Sequence, residues 1–121
     1  MILLDTNAVI WLDQSHKRVR ALARSSSRLL VSPATLLELQ MLEDCGKLRL
    51  RSGMRGVIES DRWDVDEPPA LQWFEFAAEE SWTRDPFDRL IVAHARLRRG
   101  RLATGDGAIL ERLRPSERVE L

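Results

Sequence analysis

The sequence predicts an α/β fold whose central sheet is mostly parallel and has four or five strands. Short apolar runs alternate along the chain with segments in which apolar residues recur at helical spacing. Most connections between successive runs are long enough to contain a helix, as a parallel sheet requires. Several runs are apolar without alternation, which indicates strands covered by helices on both faces of the sheet.

The first part of the chain is predicted to contain two strands and three helices. In order they are residues 1–4 (strand), 5–12 (helix), 16–25 (amphipathic helix), 28–32 (strand) and 33–45 (helix). The last of these helices has the clearest boundaries. Ser32 suits an N-cap, Pro33 suits the first helical position, and Gly46 follows the final turn.

The second part continues the alternation of strands and helices. In order it is predicted to contain residues 47–61 (a turn and a short helix), 62–67 (strand), 67–81 (helix), 84–100 (helix), 101–104 (strand), 105–113 (short helix) and 118–121 (strand). The helix within residues 84–100 is entered through Asp85 and Pro86, and Gly100 is predicted to stop it.

Composition and length predict one globular domain over residues 1–121. The chain has 44% hydrophobic and 31% charged residues, and its 19 Lys and Arg balance 19 Asp and Glu, which argues against disorder and against a nonspecific polycation. Cys45 is the only cysteine, so a disulfide framework is excluded and a small buried side chain is expected there. No apolar stretch has the length of a signal peptide or membrane span, so we expect a cytoplasmic protein with no membrane contact.

Four aspartates lie where predicted helices begin. Asp5, Asp85 and Asp106 each suit an N-cap, where aspartate contributes about 1 kcal/mol relative to alanine. Asp88 falls in the first turn of its helix, where the macrodipole favours a negative charge. Taken one at a time, these residues are explained by capping alone.

Glu38 is not explained by capping. A helical projection of residues 33–45 places it between Met41, Leu42 and Cys45, away from the polar side of that helix. A carboxylate directed toward a protein interior is costly unless it is paired with a cation or bound to a metal. We therefore expect Glu38 to have a cationic partner.

The acids are predicted to meet at one edge of the sheet. Asp5 and Asp106 follow predicted strands, and ligands of parallel sheets bind beyond the carboxyl ends of the strands. If Glu38 and the helix caps converge there, several carboxylates would repel one another without a cation. Mg²⁺ or Mn²⁺, which prefer oxygen ligands, would remove that repulsion.

Four segments, LLDTNAVIWL, SPATLLEL, RDPFDRLIVAHA and LATGDGAIL, resemble in order and spacing the motifs of PIN-domain proteins. The sequence is most similar to the VapC-type toxins of bacterial toxin–antitoxin pairs. The resemblance covers nearly the whole chain and implies a three-layer α/β/α sandwich. The acidic catalytic quartet of the family then falls on Asp5, Glu38, Asp88 and Asp106, with Asp5, Asp88 and Asp106 as metal ligands and Thr6, Asn7, Asp85 and Thr104 in supporting positions around them.

The resemblance implies an endoribonuclease that depends on Mg²⁺ or Mn²⁺. A metal-activated water would attack the phosphodiester in line and leave a 5′-phosphate and a 3′-hydroxyl. Such toxins usually form homodimers. A VapB-type antitoxin holds them inactive by wrapping a C-terminal segment over the site, often presenting an arginine to the acids. An apolar groove near Trp11 and the second helix could receive that segment.

The residues that would grip RNA are less defined by the sequence. Arg49 and Arg51 lie in one basic run, and Arg96 and Arg99 lie in another at the end of the helix in 84–100, so either pair could bind phosphates. The second run is explained as well by the negative end of its helix. The two histidines, His16 and His94, and the four tryptophans, Trp11, Trp63, Trp73 and Trp82, are expected to have packing or dimer-contact roles.

Other functions fit the sequence less well. A phosphatase of the haloacid dehalogenase type would need an aspartate where Asn7 stands, and the glycine-rich motifs of dinucleotide and P-loop sites are absent. The serious alternative is a noncatalytic interaction module whose acids only cap helices. That alternative leaves Glu38 unexplained.

Overall fold

Five short strands form one fully parallel sheet in the computed structural model, which describes residues 1–121. The strands are β1 (Ile2–Leu4), β2 (Leu29–Val31), β3 (Asp64–Val65), β4 (Arg101–Thr104) and β5 (Arg118–Glu120). Their spatial order is β3-β2-β1-β4-β5, and every neighbouring pair is parallel. The predicted fold class and strand number are confirmed.

Seven α-helices connect the strands. They are α1 (Thr6–Asp13), α2 (Arg20–Ala23), α3 (Pro33–Asp44), α4 (Gly53–Ile58), α5 (Ala70–Glu79), α6 (Pro86–Arg98) and α7 (Gly107–Leu110). The helix predicted over 16–25 is shorter, because it divides into a 3-10 turn at Lys17–Val19 and the single turn of α2, which together bury only Val19 and Leu22. None of these helices combines the length and hydrophobicity needed to cross a membrane.

Helices cover both faces of the sheet, and β1 shows how the core is divided. Ile2 and Leu4 pack in one apolar cluster with residues of α1 and α4. Leu3 points the other way and packs in a second cluster with α5 and α6. Because both faces are buried, the strand is apolar throughout rather than alternating.

The order of the strands reverses direction next to β1. The chain moves from β1 to β2 on one side, while β4 pairs with the other side of β1 through Leu4 and Ala103. The Asp5 amide donates to the Ala103 carbonyl at 3.1 Å and extends that pairing by one residue. Loops that leave neighbouring strands in different directions open a crevice at their carboxyl ends, so the topology places a binding site there.

Polar contacts fix the long helix α6 at several points. Asp66 accepts hydrogen bonds from Arg98 Nε at 2.8 Å and lies 2.7 Å from His94 Nε2. The Trp73 indole donates to the Leu90 carbonyl at 2.7 Å, and Arg96 Nε donates to Glu80 at 2.6 Å. His94 is completely buried, as its expected packing role requires, and burial lowers the pKa of its imidazole despite the neighbouring Asp66.

The end of α3 contradicts one prediction and confirms another. Cys45 is exposed rather than buried, because it caps the helix on the side away from the inward-facing Leu39. Gly46 has φ = 73° and its amide donates to the Glu43 carbonyl, so it ends the helix as predicted.

The end of α6 differs from the prediction by one residue. Arg99, not Gly100, adopts the left-handed conformation that ends the helix, with φ = 53°. Gly100 instead lies against the N-terminal residue, since a Cβ at this position would come within 2.4 Å of Met1 Sδ. A Cβ at Gly100 would require the flexible Met1 side chain to move, and the conformational strain at the end of α6 lies on Arg99.

Replacing Arg99 with glycine is expected to raise the free energy of unfolding by about 0.5–1 kcal/mol, because glycine adopts the left-handed region without steric cost. Urea denaturation followed by circular dichroism measures the change. Arg101→Gly is the matched control, since this exposed arginine is extended in β4 and its replacement should destabilise the fold. A lower stability for Arg99→Gly would contradict the strain at Arg99.

Candidate functional site

The predicted acids meet in an open pocket of about 250 Å³ at the crevice between β1 and β4. Its lining residues are Asp5, Thr6, Asn7, Glu38, Leu42, Asp85, Asp88, Ile91, Asp106 and Ile109. The structure therefore brings together all four predicted catalytic acids and three of the four supporting residues. The fourth, Thr104, is fully buried at the end of β4, directly before the loop that carries Asp106.

Asp5 is the most deeply placed acid, with only 5% of its surface exposed. It follows β1 and caps α1, where its Oδ1 accepts the Ala8 amide at 2.8 Å. Burial raises the pKa of this carboxyl, hydrogen bonds from Thr104 and Ala8 oppose the rise, and the negative charge of Asp106 adds to it. The fold thus places a carboxylate where its ionised form is unfavourable.

Glu38 extends from α3 to the first turn of α1, where the Thr6 hydroxyl donates to Glu38 Oε1. Burial raises the pKa of the Glu38 carboxyl, the Thr6 hydrogen bond opposes the rise, and the charges of Asp85 and Asp5 add to it. No cationic side chain contacts Glu38, so the cationic partner expected from the sequence is not supplied by the protein.

The helical projection of α3 correctly predicted that Glu38 points toward the pocket. Part of the reasoning behind that prediction is wrong. Met41 is 47% exposed and Cys45 is also exposed, so the arc that contains them does not face the core. The buried residues of α3 are Ala34, Thr35 and Leu39. Glu38 lies at the boundary between the buried and exposed sides, which is the position that reaches the pocket.

Asp85 and Asp88 enter the pocket from the start of α6. Asp85 Oδ1 caps the helix by accepting the amides of Phe87 at 2.8 Å and Asp88 at 3.3 Å. Burial raises the pKa of Asp88 to about 7, with further contributions from the negative charges of Asp85, Asp106, Glu38 and Asp5. The charges of all four other acids raise the pKa of Asp88, so this residue lies at the electrostatic centre of the cluster.

Asp106 occupies the opposite wall of the pocket, beyond β4. Its Oδ1 caps α7 by accepting the Ala108 amide at 2.9 Å and the Ile109 amide at 3.4 Å. Its own amide donates to the Thr104 hydroxyl at 3.0 Å, which fixes the loop between strand and helix. Thr104 therefore contacts two acids, because its side chain hydrogen-bonds the Asp5 carboxyl and accepts the backbone amide of Asp106.

The donor set fits a divalent cation that keeps water ligands. All charged groups that line the pocket are carboxylates, and no basic side chain is among them. No three Asp, Glu, His or Cys side chains are close enough to form a ready-made metal cage. Mg²⁺ suits a pocket of this kind, because it binds one or two carboxylates directly and keeps several water ligands.

One polar residue near the site was not predicted. Thr35 is fully buried and lies three residues before Glu38 on α3, so both side chains share one side of the helix. The Thr6 hydroxyl lies 3.5 Å from the Thr35 hydroxyl and also contacts Glu38. A polar residue three positions before Glu38 was the available sequence signal.

The arginines predicted to grip RNA are not in the pocket. Arg96 is bonded to Glu80 and Glu117, and Arg99 lies beside it at the end of α6 opposite to Asp88. Arg49 and Arg51 are exposed in the segment between α3 and α4. Their role in RNA binding stays a prediction.

Comparisons with known proteins agree with the motifs. The family model described as PIN domain matches residues 2–114 of this chain. No curated protein is similar enough in sequence to count as a match. The family match covers both walls of the acidic pocket, from Asp5 to Asp106, and confirms the resemblance that the four motifs carry.

Solved structures with the same fold include toxin–antitoxin complexes. DNA-bound VapBC from Salmonella typhimurium matches with 26% identity and a TM-score of 0.67, covering 98% of this chain and 96% of that chain. A toxin–antitoxin complex from Klebsiella pneumoniae matches with 19% identity and a TM-score of 0.70, covering 100% of both chains. VapBC2 from Rickettsia felis, bound to a promoter DNA fragment, matches with 19% identity and a TM-score of 0.66, covering 99% of this chain and 98% of that chain.

The charge cluster predicts that the metal-free protein becomes more stable when Asp88 loses its charge. The pKa of Asp88 is about 7 in the folded chain, above its ordinary value of 3.8, so folding favours the protonated form between these values and ionisation at higher pH destabilises the fold. Asp88→Asn should therefore raise the melting temperature in EDTA at about pH 8 by about 4 °C. This corresponds to on the order of 1 kcal/mol, because solvent screens the half-exposed carboxylate.

The same comparison at about pH 4.5 is the control, since wild-type Asp88 is then largely protonated and the difference should shrink to about 1 °C or less. Because the pKa of His94 is lowered from its ordinary value of 6.5, both proteins lose stability as the pH falls below that value. This loss is equal in the two proteins and cancels in the difference between their melting temperatures. Equal melting temperatures at the higher pH would contradict the raised pKa of Asp88.

Proposed function

The chain belongs to the PIN domain family, and on that premise we propose that it is a metal-dependent endoribonuclease toxin neutralised by a cognate antitoxin. The whole chain, residues 1–121, would form a single PIN domain of the cytoplasm. β4 pairs with β1, from the first residues, and with β5, from the last ones, which supports one domain over these residues. The observation that carries the proposal is the pocket walled by carboxylates with no protein cation among them.

Asp5, Asp88 and Asp106 would hold the metal, as Mg²⁺ or Mn²⁺, partly through its water ligands. Burial, and to a smaller extent the charges of neighbouring acids, raise the pKa of Asp5 and of Asp88, so a divalent cation would displace protons and favour the ionised forms. The bound ion would supply Lewis acidity, neutralising charge on the phosphate and making water more acidic. The helix caps fix Asp5 and Asp106 in place before a metal binds.

Glu38 would act as the base of the reaction. Thr6 donates to its Oε1, and no protein group hydrogen-bonds its Oε2, so that oxygen can orient a water and accept its proton. The raised pKa of the Glu38 carboxyl makes it a stronger base than an exposed glutamate. Asn7 and Asp85 line the same wall and would hold further waters.

The substrate would be RNA, cleaved by hydrolysis of the phosphodiester. The attacking water forms the new bond to phosphorus as the 3′-oxygen leaves, so the products carry a 5′-phosphate and a 3′-hydroxyl. None of these steps requires the ribose 2′-hydroxyl or a base. The pocket is open to solvent and could admit a strand rather than only a chain end.

A VapB-type antitoxin would be the inhibitory partner. The structural relatives from Salmonella typhimurium and Klebsiella pneumoniae are themselves toxin–antitoxin assemblies, which supports such a partner here. An apolar groove between the end of α1 and α2, lined in part by Leu12, Val19 and Ala23, supplies a surface next to Trp11 for its C-terminal segment.

A homodimer is the proposed assembly. Leu71 is 77% exposed and Phe74 is 58% exposed on α5, and large apolar side chains are rarely left this exposed in a group on a monomer. A groove beside Phe74, which includes Ala77 and Leu90, continues this apolar surface onto α6. Contact with a second copy would bury it.

Metal binding tests the site. Isothermal titration calorimetry should detect Mn²⁺ binding to the wild-type protein, and Asp5→Asn should weaken it at least about tenfold because a buried ligand loses its charge. Asp44→Asn, a change at an exposed position of α3 outside the pocket, is the control and should bind as wild type does. Unchanged binding by Asp5→Asn would remove Asp5 from the metal site.

RNA cleavage tests the activity and its chemistry. The wild-type protein with Mn²⁺ should cut RNA to fragments with 5′-phosphates, which a 5′-phosphate-dependent exonuclease then degrades. Glu38→Gln should lower the cleavage rate by roughly 100-fold or more, because the variant cannot accept a proton at this position. Full cleavage by Glu38→Gln would exclude the proposed base, and absence of any cleavage by the wild type would favour the noncatalytic alternative.

A further inference from the structure

Arg18 is an exposed arginine whose position the fold fixes from two directions. It lies in the 3-10 turn after α1, and its guanidinium stacks 4.3 Å from the centroid of the Trp11 ring. Its Nη2 donates to the main-chain oxygen of Leu121 at 2.9 Å. A guanidinium held flat on an aromatic ring has fewer conformations to lose when it binds a ligand.

The fixed guanidinium lies at the rim of the acidic pocket. Trp11 follows the pocket residue Asn7 by four positions on α1, so the two side chains share one side of that helix. A Cβ at Gly105 would lie 2.9 Å from Arg18 Nη2 and 3.1 Å from the Trp11 ring. Since Gly105 directly precedes Asp106, the stacked pair lies against the loop that carries this acid.

Arg18 contacts no Asp or Glu side chain, unlike many arginines in this chain. Arg96 and Arg98 are bound to carboxylates, and Arg62 pairs with Asp13. Arg89, which follows Asp88, uses its Nε on the Thr83 carbonyl and lines the groove beside Phe74. Arg18 uses one of its five N–H donors, on the main-chain oxygen of Leu121, so the others are available.

We propose that Arg18 is a substrate-binding residue that grips a phosphate of the RNA backbone next to the scissile bond, with Trp11 as its positioning residue. This inference rests on the proposed ribonuclease function. A pocket of carboxylates repels a polyanion, and a cation at the rim compensates that repulsion where the strand approaches. The planar fork of the guanidinium matches two oxygens of one phosphate, and its stacking leaves the edge that faces solvent free.

Equilibrium binding of RNA without cleavage tests the proposal directly. Fluorescence anisotropy of a labelled single-stranded oligoribonucleotide of about 12 nucleotides, in EDTA, gives the affinity of each variant. Arg18→Ala should bind about tenfold more weakly than wild type, and the dependence of log affinity on log salt should become shallower by about 0.7, as expected for one lost phosphate contact. Arg18→Lys should fall between the two, since it keeps the charge and loses the fork.

Arg20→Ala is the matched control, because Arg20 is two residues further on, equally exposed, and lines the groove beside α2 instead of the rim. Its affinity should stay within about twofold of wild type. In the presence of Mn²⁺, Arg18→Ala should raise KM and leave kcat nearly unchanged, as removal of binding without chemistry predicts. Its Mn²⁺ affinity should match the wild type, and its melting temperature should fall by only about 4 °C, since the stack on Trp11 and the bond to Leu121 are lost.

The outcomes separate this inference from the function on which it rests. Wild-type cleavage together with wild-type RNA affinity for Arg18→Ala would overturn the role of Arg18 alone and leave the nuclease proposal standing. In that case the stacked pair would be assigned to another occupant, such as the antitoxin segment. Failure of the wild-type protein to bind or cleave RNA at all would overturn both.

Discussion

Repulsion between carboxylates at the carboxyl edge of the sheet is the constraint on which the site depends. The reversal of strand order beside β1 brings the loops after β1 and β4 together, and α3 and α6 add Glu38 and Asp88 to the same crevice. Burial, together with the charges of the neighbouring acids, raises the pKa of Asp88 to about 7. A fold that maintains this arrangement sacrifices stability in the metal-free state, which is typical of functional sites rather than of structural ones.

Capping and catalysis are not alternative explanations for the aspartates. Asp5, Asp85 and Asp106 each use Oδ1 to accept helix amides. Those bonds satisfy the first turns of α1, α6 and α7 and at the same time fix the direction of each carboxylate. A group that must be oriented within a fraction of an ångström is held by the regular structure beside it, so the cap is part of how the site is preorganised.

Most of the arginines that make specific contacts secure the scaffold. Arg98 joins α6 to the end of β3 through Asp66, and Arg96 joins α6 to Glu80 after α5. Both lie in the last turns of α6, whereas Asp88 lies in its first turn, so these ion pairs fix the helix without placing positive charge in the pocket. Arg18 is held instead by an aromatic ring and a main-chain oxygen, which leaves four of its five N–H donors free for a ligand.

The alternation of strands and helices and the caps at Asp5, Asp85 and Asp106 could be predicted from the sequence, because they depend on local periodicity and on hydrogen bonds within a few residues. The set of four acids was assigned from the motifs that resemble the PIN family. The fold was needed to show that the arginines at the end of α6 lie outside the pocket and that no protein cation balances Glu38. It also showed that Cys45 and Met41 are exposed, since burial depends on which elements pack against α3. The placement of Arg18 beside Gly105 joins two segments that are 87 positions apart in the sequence, and contacts at that separation leave no periodic signal in the chain.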